Sequence, residues 1–238
     1  MKIDFFAEIF WSISIIEKLK TIPLFSGLSD DHLKIIASIA TTLNFDKGEM
    51  IFHEGDKGNG FYMVETGTIK VFKLSFEGKE QILHIYGPGH AFGEVPVFEG
   101  KNFPASSMAL EKSVIIFLPR DKFVNLITST PGLGMNLLAD LSRRLREFTI
   151  QIENLSLKEV PARLSAYFLT LSREQKNEKK IMLPISKAQL SNLIGTTPET
   201  VSRVLKKMMD SSLIEVQTKT IVIKDIEGLQ DLSESGSL

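Results

Sequence analysis

The regular recurrence of glycine between Thr42 and Leu118 is the feature that most constrains the fold of this chain. Ten of the 16 glycines fall in that stretch, where they separate short runs rich in β-branched and aromatic residues. Such runs, with turn signals every ~8–12 residues, are typical of an antiparallel sandwich or barrel. The Gly78-Lys79 pair between two of these runs indicates a hairpin turn. The stretch therefore predicts an all-β domain, a sandwich or a barrel.

The segment before this stretch, from Met1 to about Ala40, is helical in pattern. Charged residues interrupt its apolar N-terminal run, of which only Ile9 to Ile16 is uncharged, eight residues against the ~20 that a membrane-spanning helix needs. We therefore expect a docked amphipathic helix rather than a targeting or membrane segment. Ser29 predicts the N-cap of a second helix, because Asp30 and Asp31 follow it and the helix dipole favours carboxylates in the first turn. The apolar face of the first helix comprises Phe5, Phe6, Ile9, Ile13 and Ile16.

A heptad spacing follows the β stretch. From Pro131 to Leu157, apolar residues are alternately three and four positions apart, which is the spacing of a coiled-coil seam. Roughly three heptads are short for an independent coiled coil, so a helix buried in the core of one subunit is the alternative interpretation. We expect a long dimerisation helix whose interface consists of Leu138, Leu141, Leu145, Phe148, Ile152 and Leu155.

The final third of the chain, from Val160 to Ser233, predicts three helices followed by a short hairpin. Gly195 separates the second helix from the third, which places a tight turn between them. Helix, helix, turn, helix and hairpin is the order of a winged helix-turn-helix. The predicted helices span Ala162–Ser172, Ser186–Ile194 and Pro198–Met209, and the predicted hairpin strands are Leu213–Val216 and Ile221–Ile223.

These patterns together predict an α+β fold with three parts. Residues 1–130 form a β domain with N-terminal helices, and residues 131–158 form the dimerisation helix. Residues 159–238 form a winged helix-turn-helix that binds DNA. The expected hinge between the last two parts lies around Leu157–Val160.

The start of the third predicted helix carries the group of residues that says most about function. Thr197 suits the N-cap and Pro198 the first helical position, where its missing N–H costs nothing. Glu199, Ser202 and Arg203 then share one face of the first turn. An arginine there can bond guanine O6 and N7, and a glutamate can accept from cytosine N4. The predicted DNA-binding residues are Glu199, Ser202, Arg203, Thr197, Thr200 and Lys206.

Glu199 and Arg203 also permit a plainer interpretation. Residues four apart on an exposed helix can form a surface ion pair worth ~0.3–0.5 kcal/mol. The charge of the region favours DNA instead: residues 161–238 carry 11 Lys and Arg against 9 Asp and Glu, whereas the whole chain has a net charge of −1. Any nucleic-acid contact must therefore come from a local patch.

Composition excludes several other classes of protein. The chain has no cysteine, which rules out disulfides, a cysteine-ligated iron–sulfur cluster, a structural zinc finger and a thiol nucleophile. Two histidines separated by one residue, as a cupin-like metal site requires, do not occur. No nucleophile triad, phosphate-binding glycine loop or carboxylate pair stands out either. We therefore expect no enzymatic activity.

At the level of motifs, the chain resembles the CRP/FNR family of bacterial transcription regulators. The resemblance covers nearly the whole length. It implies that residues 1–130 are an effector-sensing domain, a double-stranded β-roll of the jelly-roll kind. It also implies a homodimeric, cytoplasmic transcription regulator, an activator or a repressor, that binds double-stranded DNA and works with RNA polymerase. Its Glu-x-x-Ser-Arg arrangement is similar to the FNR and DNR branches. That implies a TTGA-type half-site in which Glu199 and Arg203 contact the C·G and G·C pairs and Ser202 lies near a thymine. The matching segments are Pro23–Leu28, Gly48-Glu49, Glu65–Gly67, Phe92–Glu94 and Leu193–Arg203.

The same resemblance implies an effector pocket that departs from the cyclic-nucleotide pattern. Gly93 and Glu94 match the half that holds the ribose hydroxyls. Pro104 and Ala105 stand where the family has the phosphate-binding arginine and serine, and losing a charged donor from a buried anion site is costly. We therefore expect no cAMP binding at physiological levels. On the dimerisation helix, the positions that would reach the purine are Phe148 and Thr149.

The identity of the effector stays undecided. The possibilities in such a family are haem that senses NO or CO, a small organic ligand, or no ligand at all. Among the histidines, His84 and His90 are the first haem candidates because both lie near the pocket motif. An FNR-like regulator without cysteine suggests a sensor of nitrosative or redox signals, by analogy alone. A cyclic-nucleotide-binding regulatory subunit that does not bind DNA is the alternative function.

Overall fold

The computed structural model describes residues 15–20 and 22–235. The amphipathic helix expected at the N-terminus falls almost entirely on residues 1–14, outside these ranges. The chain divides into two compact units, one formed by residues 1–73 and 83–144 and the other by residues 74–82 and 145–238. The division therefore falls inside the long helix, between Arg144 and Leu145, and the domain boundaries expected from the sequence stay predictions.

The β stretch forms two four-stranded sheets, which confirms the predicted roll. One sheet has the strand order β1-β8-β3-β6 and the other β2-β7-β4-β5. In the first sheet, β3 pairs antiparallel with β8, and the Tyr62 Cα lies opposite the Phe117 Cα. The strands are β1 (Thr41–Phe45), β2 (Met50–Phe52), β3 (Gly60–Thr66), β4 (Ile69–Leu74), β5 (Glu80–Tyr86), β6 (Ala91–Phe92), β7 (Ser106–Ala109) and β8 (Ser113–Pro119).

Helices of the N-terminal unit pack on strands β3 and β8 of the roll. Ser29 caps α2 by accepting a hydrogen bond from the His32 backbone N–H at 3.3 Å, as the sequence indicates. The first half of α5 packs on the same core through the buried Leu133 and Leu137. The helical elements are α1 (residues 15–20), a 3₁₀ turn (Pro23–Phe25), α2 (Asp30–Ile39), α3 (Val95–Glu99), α4 (Arg120–Ser129) and α5 (Pro131–Leu157).

The C-terminal unit is a winged helix-turn-helix around a three-stranded sheet of order β10-β11-β9. The sequence anticipates the hairpin β10–β11 but not β9, which begins at Lys180, the last residue of a charged run, and pairs with β11. The elements are α6 (Val160–Glu174), β9 (Lys180–Met182), α7 (Lys187–Ile194), α8 (Pro198–Asp210), β10 (Ile214–Gln217), β11 (Thr220–Ile223) and α9 (Ile226–Ser235).

The heptad segment forms one continuous helix, α5, with the bounds that the spacing predicts. Within the described part of the chain, no helix combines the length and apolar character that crossing a bilayer requires.

Candidate DNA-binding surface and effector site

The turn between α7 and α8 is fixed by capping residues at both ends. Ser186 and Gln189 form a reciprocal capping box at the start of α7, which satisfies two backbone N–H groups that the helix leaves free. Gly195 ends α7 in the left-handed conformation, with φ +74°, and a Cβ there would come 3.0 Å from Leu155 Cδ2. The left-handed conformation therefore favours glycine, and a Cβ would also require the end of the Leu155 side chain to shift by a few tenths of an ångström.

Helix α8 has one buried face and one exposed face. Its buried residues anchor the helix to the unit, and they are Val201, Val204, Leu205 and Met208. The opposite face exposes Glu199, Ser202, Arg203 and Lys206. This separation brings together on one surface four of the side chains that the sequence assigns to DNA contact. The other two, Thr197 and Thr200, form the helix cap.

Hydrogen bonds within the first turn of α8 position these side chains. The Thr200 N–H donates to Thr197 Oγ1 at 3.3 Å, and Arg203 Nη2 lies 3.5 Å from Thr200 Oγ1. The Ser202 hydroxyl donates to the Pro198 carbonyl at 2.9 Å. Among the described residues, no ion pair joins Glu199 to Arg203, so the plainer surface-pair interpretation is not the arrangement found.

Glu199 is held as a carboxylate. Its own backbone N–H, and then the Thr197 hydroxyl, donate to it and hold the pKa of this carboxyl below its ordinary value. A carboxylate at this position can only accept hydrogen bonds. It is therefore suited to a donor such as the amino group of cytosine.

Arg163 is a positioning residue that the sequence does not reveal. From α6, its Nε donates to the Lys158 carbonyl and its Nη1 to the Ile194 carbonyl, both at 2.8 Å. The first acceptor lies in the connection between α5 and α6, and the second ends α7 immediately before the turn to α8. Arg163 therefore ties the connection to the helix-turn-helix.

In the N-terminal unit, Glu94 pairs with an arginine of the same chain. Arg144, on α5, donates from Nη1 to Glu94 Oε1 at 3.1 Å and from Nη2 to the Ala91 carbonyl at 2.5 Å. Its Nε lies 2.8 Å from Asp140 Oδ2. The guanidinium also lies over the Tyr86 ring, 5.4 Å from its centroid, so four groups of the unit surround one cation.

The charge of Arg144 is retained despite its burial. Only 9% of the residue is exposed. Burial disfavours its charged form, but Glu94, Tyr86 and Asp140 together outweigh that effect and raise the pKa of the guanidinium. The cavity beside it, lined by Glu94, Asp140 and Leu141 among others, holds about 10 Å³. That is room for one water at most.

Aromatic side chains fill the interior of the roll next to this cluster. The Phe52 and Phe103 rings stack with centroids 3.8 Å apart, and the Tyr62 and Phe92 rings lie 5.4 Å apart. Gly93 turns the chain at φ +73°, and a Cβ there would come within 3.2–3.3 Å of three of these rings. The rings therefore occupy the space next to Gly93 and Glu94.

Pro104 and Ala105 take no part in a charged anion site. Ala105 is buried, and the Pro104 carbonyl accepts a hydrogen bond from Lys73 Nζ at 3.0 Å. Lys73 is a cation that sequence reasoning missed, but it pairs with Glu54 at 2.6 Å. The position expected to hold a phosphate therefore offers a lysine whose charge is already matched.

The two histidines proposed as haem ligands differ in environment. His84 packs on Tyr86, with ring centroids 4.3 Å apart. Burial, then Arg144 and His90, lower the pKa of its imidazole to about 4. His90 is exposed, and its Nδ1 lies 3.2 Å from the Gly87 carbonyl. Among the described residues, no three His, Asp or Glu side chains are placed to hold a metal ion together.

Helix α5 carries an exposed apolar stripe. Leu138, Leu145 and Ile152 repeat every seven residues and are 59%, 69% and 65% exposed. Phe148 flanks them, and Thr149 donates its hydroxyl to the Leu145 carbonyl of its own helix at 2.9 Å. Leu141 lines the Arg144 cavity of its own unit, Leu155 lies beside Gly195, and both stay predicted interface residues. Met135, which is also exposed, extends the stripe.

Comparison with known proteins matches two segments of the chain to two domain families. Residues 42–130 match the cyclic nucleotide-binding domain, and residues 162–232 match the Crp-like helix-turn-helix domain. Among individual proteins, the cyclic AMP receptor protein of Thermus thermophilus is 30% identical over 215 residues, which cover 90% of this chain and 98% of that protein. The probable transcriptional regulator flp of Lacticaseibacillus casei is 28% identical over 89% of this chain and 96% of its own.

Solved structures show the same fold. FixK2 from Bradyrhizobium japonicum has a TM-score of 0.76 at 23% identity, over 84% of this chain and 100% of its own. A CRP/FNR family transcriptional regulator from Thermus thermophilus has a TM-score of 0.66 at 25% identity, over 83% of this chain and 100% of its own.

Proposed function

The chain belongs to the CRP/FNR family of transcription regulators, and we propose that it binds a TTGA-type palindrome as a homodimer. The observation that carries this proposal is the exposed face of α8, where Glu199, Ser202 and Arg203 stand at the N-terminal end of the second helix of a helix-turn-helix. In such motifs this end of the helix contacts base edges in the major groove.

Each side chain of this face has a chemically distinct role. Arg203 offers two parallel donors to guanine O6 and N7, and ionised Glu199 accepts from cytosine N4. Ser202 lies between them and faces the thymine. Lys206, one turn further along α8, contacts a phosphate, which fixes the register without selecting a base.

Two further exposed lysines of the same unit are candidates for phosphate contacts. Lys187 begins α7, and Lys219 lies in the turn of the wing, between β10 and β11. Exposed lysines at a helix N-terminus and in a wing are suited to neutralise phosphates. We add both to the predicted phosphate contacts.

The exposed stripe of α5 supports the homodimer. Leu138, Leu145 and Ile152 present apolar surface at heptad spacing, which a second copy of the same helix would cover. A twofold pair places two copies of α8 on two half-sites, so the palindrome of the DNA matches the symmetry of the protein.

Effector gating through haem is the second candidate for the signal that controls DNA binding, with His84 as a candidate ligand. The imidazole of His84, with its pKa lowered to about 4, is neutral at pH 7 and keeps a lone pair for a metal. The cavity beside Arg144 holds only about 10 Å³, so the residues around Glu94 do not fit a haem in this conformation. An absorption spectrum of the protein with added haem, and then NO, tests this candidate; a Soret band that weakens in His84→Ala would support it.

The remaining parts of the proposal follow from DNA binding. The regulator works in the bacterial cytoplasm and contacts RNA polymerase at its promoters. It has no catalytic role. The alternative function is that of a cyclic-nucleotide-binding subunit that does not bind DNA. It does not explain the exposed polar face of α8.

Selection from a pool of random duplexes tests the proposed function. We expect the purified protein to enrich palindromes with TTGA-type half-sites. The Arg203→Ala variant should enrich the same palindromes with the guanine position relaxed. Enrichment of no motif would contradict the proposal and favour the non-DNA-binding alternative.

A further inference from the structure

The last carbonyl groups of α7 accept hydrogen bonds from side chains that lie outside this helix. An α-helix leaves its final four carbonyl groups without donors of its own. Here the Ile194 carbonyl accepts from Arg163 Nη1 at 2.8 Å, and the Leu193 carbonyl accepts from Gln81 Nε2 at 3.4 Å. Only two residues then separate α7 from Thr197, the N-cap of α8. The side chains that hold the end of α7 therefore also restrain the start of α8.

Gln81 lies at the start of β5, and the residue before it also contacts α7. Glu80 Oε1 accepts a hydrogen bond from Asn192 Nδ2 at 3.1 Å. Gln81 Nε2 donates as well to the Ile82 carbonyl at 3.0 Å, and Gln81 Oε1 lies 3.5 Å from the position of a Cβ on Gly195. Glu80, Gln81 and Asn192 are each only partly exposed. We refer to these three residues as the β5–α7 contact.

The hairpin that carries this contact has a closed turn and belongs to the same compact unit as α7 and α8. Its turn is closed by hydrogen bonds from the Ser75 N–H to the Lys79 carbonyl at 2.8 Å and from the Lys79 N–H to Ser75 Oγ at 3.0 Å. Residues 74–82 fall in the C-terminal unit, whereas the remaining residues of β4 and β5 fall in the other unit. The chain therefore passes between the units in β4 and β5 as well as in α5.

We propose that Glu80 and Gln81 are positioning residues for DNA recognition. They hold the end of α7, and through it the turn before α8, so that Glu199 and Arg203 reach the base edges together. The inference rests on the proposed function, because it concerns how that same helix is held. Base edges are read by hydrogen bonds of defined geometry, whereas phosphate contacts carry no sequence information. Losing the β5–α7 contact should therefore reduce discrimination between sequences more than it reduces overall affinity for DNA.

An exchange of the two polar groups tests the pair of Glu80 and Asn192 directly. Asn192→Asp removes the donated hydrogen bond and places a second carboxylate against Glu80. Adding Glu80→Gln exchanges the amide and the carboxylate, so this double variant regains a donor and an acceptor and keeps the wild-type net charge. Gln81→Leu removes the donor to the Leu193 carbonyl at similar side-chain size. Glu77→Gln, at an exposed position of the same hairpin, is the matched control for the loss of a glutamate charge.

The purified full chain and its variants are measured in two ways. Fluorescence anisotropy gives the Kd for the palindrome that the selection enriches and for the same duplex with scrambled half-sites. An added charge affects both duplexes alike, so the ratio of the two Kd values reports the positioning of α8. Hydrogen–deuterium exchange, measured without DNA, reports how often the backbone of residues 193–197 opens.

We expect Asn192→Asp to lower the ratio of the scrambled-duplex Kd to the palindrome Kd about tenfold and to speed hydrogen exchange in residues 193–197. The double variant should recover most of both losses, because changes at two groups in contact are not additive. Glu80→Gln alone retains an acceptor for the Asn192 amide and should lie between the wild type and Asn192→Asp. Gln81→Leu should lower the ratio about threefold, and Glu77→Gln should behave as wild type.

Two results would overturn the inference. One is a wild-type Kd ratio and wild-type hydrogen exchange in both Asn192→Asp and Gln81→Leu. The other is a double variant whose losses equal the sum of the losses in Asn192→Asp and Glu80→Gln. If the wild type discriminates between no duplexes, the proposed function fails, and hydrogen exchange alone decides whether the β5–α7 contact holds the turn. Faster exchange in Asn192→Asp that the double variant reverses supports that role, and unchanged exchange overturns it.

Discussion

Thr197 positions both of the charged side chains on the exposed face of α8. Its hydroxyl supports the carboxylate of Glu199 directly and supports Arg203 through Thr200. One short cap residue therefore fixes the start of the helix that carries both potential base contacts. The sequence predicts this cap because Thr, Pro and Glu stand in the order that a helix N-terminus prefers.

Arg203→Ala tests the role of a single side chain. The variant should lose ~1–3 kcal/mol of binding free energy on the specific duplex and discriminate less at one base pair, because it loses two donors to guanine. Lys206→Ala is the control: a phosphate contact should weaken binding on all duplexes alike and reduce the salt slope by about 1. Titrations on specific and scrambled duplexes measure both, and equal losses for Arg203→Ala on the two duplexes would refute its role in base recognition.

His84 makes stability depend on pH. Its imidazole has a pKa of about 4 in the folded chain and about 6.5 when unfolded. Between these values the unfolded state binds the extra proton, so stability is full above about pH 6.5 and falls as the pH drops toward 4. The charged and titratable groups that cause the shift are Arg144 and His90.

His84→Gln should flatten this dependence, which thermal melts between pH 7 and 4 would detect as a smaller fall in Tm. His53→Gln, a change at an exposed histidine of the same unit, serves as the control and should keep the wild-type slope. An unchanged slope in His84→Gln would show that His84 does not set the dependence.

The contacts of Arg144 could not be predicted from the sequence. Its position on α5 predicts only that it is a polar residue outside the heptad interface. Its partners Ala91 and Glu94 are about 50 positions away in the chain, and periodicity carries no information on such pairs. The same holds for Lys73, whose partner Glu54 lies on another segment.

Most elements could be predicted because each has a strong local signal. The period of α5, the glycines of the roll and the cap of α8 all act over a few residues. Strand β9 lacked such a signal, since it has three residues, Lys180 to Met182, at the end of a charged run. Its strand conformation comes from pairing with β11, which is a tertiary effect.

Arg163→Ala tests the link between α6 and the end of α7. Loss of its two bonds to the Lys158 and Ile194 carbonyls should lower the free energy of unfolding by about 1–3 kcal/mol. It should also weaken binding to specific DNA, because the turn before α8 loses its support. Urea unfolding and a DNA titration measure the two effects.

Arg173→Ala is the matched control for this link. Arg173 lies on the same helix and bonds only within it, to the Leu169 carbonyl and the Thr170 hydroxyl. Its loss should leave both readouts near the wild-type values. Equal effects of the two variants on the free energy of unfolding and on DNA affinity would show that Arg163 does not specifically support the end of α7.

At the scale of the whole molecule, the apolar stripe of α5 predicts a dimer. Leu145→Glu places a charge in the middle of the stripe and should yield monomers, since burying an unpaired carboxylate is costly. Ile150→Glu, at an exposed position of the same helix outside the heptad stripe, is the control and should stay dimeric. Sedimentation equilibrium measures the mass against 26.6 kDa per chain. A monomeric wild type would contradict the proposed interface.

The sequence predicts the overall architecture in more detail than it predicts the effector that controls the protein. Three successive hydrophobic patterns fix the roll, the long helix and the winged helix-turn-helix. The effector site depends on which side chains fill one cavity. That depends on the packing of Phe52, Phe103 and Arg144, which no local pattern specifies.

The central claim, that α8 recognises a specific sequence, is tested most directly by one titration. Nucleotide-free protein is added at fixed salt to a labelled TTGA palindrome and, separately, to the same duplex with its half-sites scrambled. The account predicts binding at least about 10³-fold tighter to the palindrome. Equal affinity for the two duplexes would contradict it.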